Sequence, residues 1–328
     1  MRKILGMGNA LTDILMRLES DALLEQLALP KGSMQLVNED VANKVLQATG
    51  HLAQTLVSGG SASNTIHGLA ALGVGAGFIG KVGNDTWGDF FGSDMKKRGI
   101  EARLLTGQSG SGRAIALISP DSERTFATYL GAAVELTEDD ITPDVFRGYH
   151  YFHIEGYLVQ NRTLIESALK IAHDAGLMVS LDMASFNVVA ENRDFLLEMT
   201  SKYVDILFAN EEEARVFTAG LDDLDALNFM SEHCPIAILK KGKEGSLIKY
   251  NDIVIKVDAV HTNSIDTTGA GDLYASGFLY GMIRSCSLTK CGKIGSLTAS
   301  AVIEVIGPKI GDEKWMEIKE KISNILRD

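Results

Sequence analysis

The feature that most constrains the fold is an alternation of short apolar runs with longer stretches of helical spacing. Residues 3–8, 54–57, 75–79, 149–154, 178–181, 204–208 and 236–239 read as buried strands, and helices fill much of the intervening sequence. Such an alternation implies a largely parallel sheet covered on both faces, with ligands held outside the carboxyl ends of its strands. Two pairs of segments interrupt it, 14–18 with 33–37 and 112–118 with 124–130. The second pair reads as a hairpin across Ser119-Pro-Asp-Ser-Glu123. On the residues alone these segments suit an ordinary edge hairpin as well as a separate small sheet.

The stretch with the most chemical content is Asp266-Thr-Thr-Gly-Ala-Gly-Asp272, after which small and apolar residues take up helical spacing. The glycines then lie at a helix N-terminus, where N–H groups without intrahelical partners can hold a phosphate. Gly269 and Gly271 allow close backbone approach, and Asp272 can meet a hydroxyl that is about to attack that phosphate. An ordinary capped helix start is the competing explanation, since Asp is common in first turns.

The heptapeptide and its surroundings resemble the ribokinase-like, or PfkB, family of carbohydrate and nucleoside kinases. Gly59-Gly-Ser-Ala-Ser-Asn-Thr-Ile-His-Gly-Leu-Ala-Ala-Leu-Gly73, with Phe78-Ile-Gly-Lys-Val-Gly-Asn-Asp85, is similar to the family's N-terminal motif, and Asn210-Glu-Glu-Glu213 to its Asn-x-x-Glu element. The resemblance implies one three-layer α/β domain over residues 1–328, with a mostly parallel central sheet flanked by helices. It also implies a small β-sheet lid from discontinuous segments at about 13–38 and 103–132.

The resemblance also implies site residues. Asp272 would be the catalytic base, and the N–H groups of Gly269, Ala270 and Gly271 the anion hole; Asn9, Asp13, Gly59, Gly60 and Asn64 would grip the acceptor. Gly242 and Gly245, in Lys240-Lys-Gly-Lys-Glu-Gly245, would contact ATP, although the family's usual Thr or Ser there is replaced by Lys. Asn210 and Glu213 would hold hydrated magnesium largely through water, beside their simpler role of starting a helix. In related enzymes the neighbourhood of Asp266 can help form a site for a monovalent cation such as K+. Residues 295–307 are expected to form a helix beside the adenine pocket.

Gly6-Met-Gly-Asn-Ala-Leu-Thr-Asp13, Lys31-Gly-Ser-Met-Gln-Leu-Val37 and Arg124-Thr-Phe-Ala-Thr-Tyr-Leu-Gly131 look closest to bacterial adenosine-kinase-like members. The expected reaction is therefore ATP-dependent phosphorylation of a ribose-containing nucleoside, adenosine at its 5′-hydroxyl. The alternatives are a free-sugar kinase, for which Arg113 or Arg124 would favour an acidic sugar, and a non-catalytic nucleoside- or sugar-binding regulator.

Composition excludes some rival classes. A net charge of −12 argues against a general nucleic-acid binder. Cys234, Cys286 and Cys291 lack metal-ligand spacing, so free thiols in a reducing compartment are expected. No long apolar stretch suggests a membrane span, and a soluble cytoplasmic protein, monomer or homodimer, is the expectation. Gly6-Met-Gly lacks the third glycine of a dinucleotide fingerprint. The P-loop-like Gly75-Ala-Gly-Phe-Ile-Gly-Lys-Val82 ends on a residue with no hydroxyl for magnesium.

Overall fold

The computed structural model describes residues 2–327. In chain order its strands are β1 (Lys3–Met7), β2 (Leu11–Arg17), β3 (Met34–Leu36), β4 (Gln54–Gly59), β5 (Gly75–Val82), β6 (Glu101–Thr106) and β7 (Gly112–Ile118). They continue with β8 (Arg124–Tyr129), β9 (Tyr151–Glu155), β10 (Met178–Asp182), β11 (Ile206–Asn210), β12 (Ile236–Lys240), β13 (Ser246–Tyr250) and β14 (Ile253–Val257). Nine form one sheet in the order β14-β13-β12-β11-β10-β9-β1-β5-β6, and five form a second in the order β3-β8-β7-β2-β4. The large sheet is parallel from β6 to β12 and turns antiparallel only where β13 and β14 are added.

The period of two along each strand sends alternate side chains to opposite cores. Leu5, Met7, Leu207, Ala209, Ala237 and Leu239 join one apolar cluster, while Ile4, Ile206, Phe208, Ile236 and Ile238 join another on the opposite face. Helices cover both faces, which gives the three layers that the strand–helix alternation implied. From β1 the chain winds one way to β5 and β6, then returns to β9 on the other side and winds away from it. The crevice between the ends of β1 and β9 is thus the point where connections diverge, the favoured place for a ligand in such sheets.

The small sheet has its own core. Ile14, Met16, Ile115, Leu117 and Ala127 pack with Leu24 and with Ala42 and Val45 from the helix Glu39–Ala48. Register assigns the opposite face: Asp13 pairs with Val57 and Ala114, Leu15 with Ala116, Ala116 with Phe126, Ile118 with Arg124, and Phe126 with Met34. Leu15 on this face approaches Gly307, and Arg124 reaches Asp266, so this face looks toward the loop before the helix Ala270–Ile283.

Several strands differ from the sequence expectation. The run 54–57 extends to Gly59 and pairs antiparallel with β2 in the small sheet, not in the large one. In that sheet it is only partly buried, unlike the core strands of the large one. β6 pairs with β5 in the large sheet, so the second lid segment contributes to the small sheet only from Gly112. β13 (SLIKY) and β14 (IVIKV) each carry one Lys and are only partly buried at the sheet edge, unlike the core strands. The helix expected over 295–307 begins earlier and stops earlier, at Leu288–Val302, with Ser287 accepting from the Lys290 N–H as its cap.

Candidate active site

Asp272 stands in the first turn of the helix Ala270–Ile283, whose N-cap, Gly269, has φ 77°, a left-handed conformation suited to glycine. That helix packs closely on the helix Ser61–Ala71. At Gly68 a Cβ would come within 2.5 Å of the Ser276 hydroxyl, so glycine permits the approach. As a result Ser61 Oγ donates to Asp272 Oδ1 at 2.7 Å and Asn64 Nδ2 donates to Oδ2 at 2.9 Å. Burial pushes the Asp272 carboxyl up to about 6, although both donors pull it down.

Ala270 N–H already donates to Thr267 O at 3.1 Å, as a tight turn requires, whereas the N–H groups of Gly269 and Gly271 have no backbone partner among the described residues. Two of the three expected anion-hole donors are therefore uncommitted. Asp266 fastens the same loop, accepting from Thr268 N at 3.0 Å and from Gly307 N at 2.6 Å. Arg124 crosses from the small sheet to form an ion pair with Asp266 and donates to Thr268 Oγ1 at 2.8 Å. Arg124, considered above as a contact for an acidic sugar, is thus engaged in a buried internal ion pair. Arg113 is likewise engaged internally, with Asn43 at 2.9 Å and over the Tyr129 ring.

The residues expected to grip the acceptor gather at the divergence point of the large sheet. Asn9, just after β1, gives its backbone N–H and its Nδ2 to Glu155 Oε1 at 2.9 and 3.0 Å. Glu155 ends β9, and its other oxygen accepts from Ala62 N at 2.7 Å. The amide oxygens of Asn9 and Asn64 are both buried without a hydrogen-bond partner, so they are acceptors matched to hydroxyl donors. Asp13 lies in β2 facing the site, with Gly59 directly against its carboxylate. Gly60 caps the helix Ser61–Ala71 at φ 94° beneath the Asn9 carbonyl. Burial raises the carboxyls of Asp13 and Glu155 to about 7, with Lys309 acting against the rise at Asp13.

On the other side of Gly271 a cavity of about 650 Å³ is lined by Asn210, Lys240, Gly242, Gly245, Ala270 and Gly271, with Ser296, Ala299 and Ser300 from the helix Leu288–Val302. Gly242 and Gly245 belong to the turn joining β12 to β13. Asn210 and Glu213 form a reciprocal capping box: Asn210 Oδ1 accepts from Glu213 N at 2.9 Å, and Glu213 accepts from Asn210 N and Nδ2 at 2.8 and 2.7 Å. Glu213 is buried and its carboxyl is raised to about 7 by that burial. No group of three His, Cys, Asp or Glu among the described residues could hold a metal directly. Hard oxygens and the carboxylates of Asp182, Glu213 and Asp272 around Lys240 suit a hydrated cation that arrives with phosphate.

Residues 38–315 match the model of the pfkB family carbohydrate kinases, most of the chain's length. The chain belongs to that family. This pfkB kinase is an ATP-dependent phosphotransferase with a hydroxyl acceptor, and its two-sheet α/β architecture is ribokinase-like. It is similar to a probable sugar kinase from Rhizobium etli, at 33% identity over 99% of each chain and a TM-score of 0.88. It is equally similar to the adenosine kinase of Sinorhizobium meliloti, at 34% identity over 98% of this chain and 99% of that one, TM-score 0.87. An "uncharacterized sugar kinase" from Archaeoglobus fulgidus is 27% identical over 74% of this chain and 97% of its own. Asn9 and Asp13 precede the family-matched residues.

Sequence reasoning missed Ser61, Glu155, Asp182 and Lys309 as members of the site. A carboxylate ending an apolar run was the available signal for Glu155 and Asp182. No local pattern announced Lys309, whose Nζ is buried without a partner.

Proposed function

We propose that this pfkB kinase transfers the γ-phosphoryl group of Mg-ATP to the 5′-hydroxyl of adenosine. The observation that carries the choice of a nucleoside is the site-facing side of the small sheet. Leu15, Val57, Phe126 and Met34 share that face, and Met34 is 53% exposed. An apolar wall above a polyol-binding floor suits a base joined to a ribose, whereas a free sugar leaves the wall unused. The likeness to the Sinorhizobium meliloti adenosine kinase supports the same reading.

In this mechanism Asn9, Asn64 and Asp13 hold the ribose hydroxyls, and Asp272 accepts the proton of the attacking hydroxyl as the bond to phosphorus forms. Ser61 and Asn64 keep both oxygens of Asp272 in place. The N–H groups of Gly269 and Gly271 stabilise charge on the transferring group. Magnesium, when bound, neutralises the phosphate tail; Asn210 would hold its water shell, with Glu213 fixing Asn210. Arg124 ties the small sheet to the anion loop, so that closing the sheet over the acceptor and ordering the loop are one event that excludes water.

Specificity constants for adenosine, other nucleosides, ribose, fructose and 2-keto-3-deoxygluconate test the proposal. Adenosine is expected to lead, because base binding can orient its 5′-hydroxyl. A free sugar ahead by about tenfold, roughly 1.4 kcal/mol in transition-state preference, would overturn the nucleoside assignment. The likeness to the Rhizobium etli probable sugar kinase makes a free sugar the second reading.

A further inference from the structure

Three lysines stand within one turn, Lys240-Lys-Gly-Lys243, and they have different surroundings. Lys241 pairs with Asp223 and Glu244. Lys243 is exposed. Lys240, the last residue of β12, instead turns inward, where its Nζ donates to Asp182 Oδ2 at 2.7 Å, the two side chains being 13% and 6% exposed. Asp182 ends β10 and is itself held, since its Oδ1 accepts from Ala184 N at 3.1 Å.

The position of this ammonium relative to the anion loop is the decisive geometry. A Cβ built on Gly271 would lie 3.1 Å from Lys240 Nζ, so the charge sits against Gly271, whose N–H is one of the two uncommitted ones. Lys240 also lines the cavity together with Gly271, Ala270 and Asn210. An ammonium has three donors, and this one makes a single hydrogen bond in the structure, which leaves two for a ligand. Burial opposes its charge, but Asp182 and Glu213 outweigh that and hold its pKa above the ordinary lysine value. It therefore remains a cation and cannot serve as a base near neutrality.

We propose that Lys240 is a catalytic residue that binds the phosphoryl group in transit, with Asp182 as the positioning residue that aims it. The inference rests on the phosphoryl-transfer reading of the site. In the step itself the acceptor oxygen bonds to the γ-phosphorus and the bond to the β,γ-bridging oxygen breaks. The hydroxyl proton passes to Asp272, and the bridging electron pair leaves on ADP. Lys240 keeps its proton throughout and donates to the oxygens of the transferring group, where charge redistributes. Placed against Gly271, it completes a clamp of one full charge and two backbone dipoles.

The test uses the full-length protein with Lys240→Met, which keeps length and loses charge, and Asp182→Asn, which keeps Lys240 but loosens its hold. Calorimetric affinities for ADP and for a non-hydrolysable ATP analogue are measured beside kcat and the acceptor KM. Lys240→Met is expected to lower kcat by about a hundredfold or more, the scale of one lost transition-state donor. The preference for the triphosphate over ADP should shrink by about tenfold, with the acceptor KM little changed. Asp182→Asn should produce a smaller loss of the same kind, on the order of tenfold. A Lys240→Met protein with wild-type thermal stability that keeps kcat within about threefold, or keeps the full triphosphate preference, overturns the proposal. If that variant does not fold, an unchanged triphosphate preference in Asp182→Asn overturns it as well. Failure of the wild-type protein to phosphorylate any acceptor would instead refute the catalytic reading of the site, while the affinity ratio would still report whether Lys240 meets the terminal phosphate.

Discussion

Replacing Asp272 with Asn should push activity and stability in opposite directions. The Asp272 carboxyl is raised from 3.8 to about 6, chiefly by burial. A carboxyl raised in the folded state holds its proton more tightly there than in the unfolded chain. The stability this confers is fully present below about 3.8 and is lost as pH rises through about 6. Near neutrality the buried carboxylate therefore costs about 3 kcal/mol at most, the equivalent of about two pKa units. Asn carries no such charge. Its oxygen can accept from Asn64 while its amide donates to Ser61 Oγ, so both contacts persist, but as neutral rather than charge-assisted hydrogen bonds, a loss of about 1 kcal/mol. The net expectation is a gain of about 1–2 kcal/mol near pH 8, seen as a rise of a few degrees in Tm, and no gain near pH 4. Activity should meanwhile fall by about a hundredfold or more, because the proton acceptor is gone. Thermal unfolding of both proteins at the two pH values, with single-turnover kinetics on each, makes the comparison. Asp13, Glu155 and Glu213 titrate nearby, so the difference between variant and wild type carries the result rather than either profile alone. Near-normal chemistry in Asp272→Asn, or a Tm that drops equally at both pH values, would refute the reasoning.

Asp13→Ala should raise the KM of the acceptor more than that of ATP, since it removes a hydroxyl acceptor and leaves the anion loop intact; equal changes would mean a general structural role. Gly269→Ala places a Cβ at φ 77° only 2.8 Å from Pro308 Cβ. It should lose about 1–3 kcal/mol in denaturant unfolding along with most activity, and a wild-type midpoint would count against the strained-loop account. Arg124→Ala leaves the buried Asp266 carboxylate uncompensated and should cost about 3 kcal/mol or more. A double-mutant cycle with Asp266→Asn should then show coupling above about 1 kcal/mol, and additivity would indicate that the pair does not hold the small sheet to the loop.

The sequence by itself determined the elements whose cause is local. The apolar runs forming β1, β5 and β9 to β12 are buried on both faces by helices, so their identity survives any choice of neighbours. The glycines of the heptapeptide announced a helix start, and Asn210 with Glu213 announced a cap, because both follow from backbone groups within four residues. Tertiary structure alone decided which sheet received β4 and β6. Pairing is a contest between distant partners, and a six-residue strand carries no label for its neighbour. It also decided that Glu155 meets Asn9 from 146 positions away, and that Lys240 leaves its neighbouring lysines for Asp182, 58 positions away. A charged side chain's environment is set by whatever packs around it, so its role in the site was readable only once the carboxyl ends of β1 and β9, and likewise of β10 and β12, were brought to the same side of the sheet.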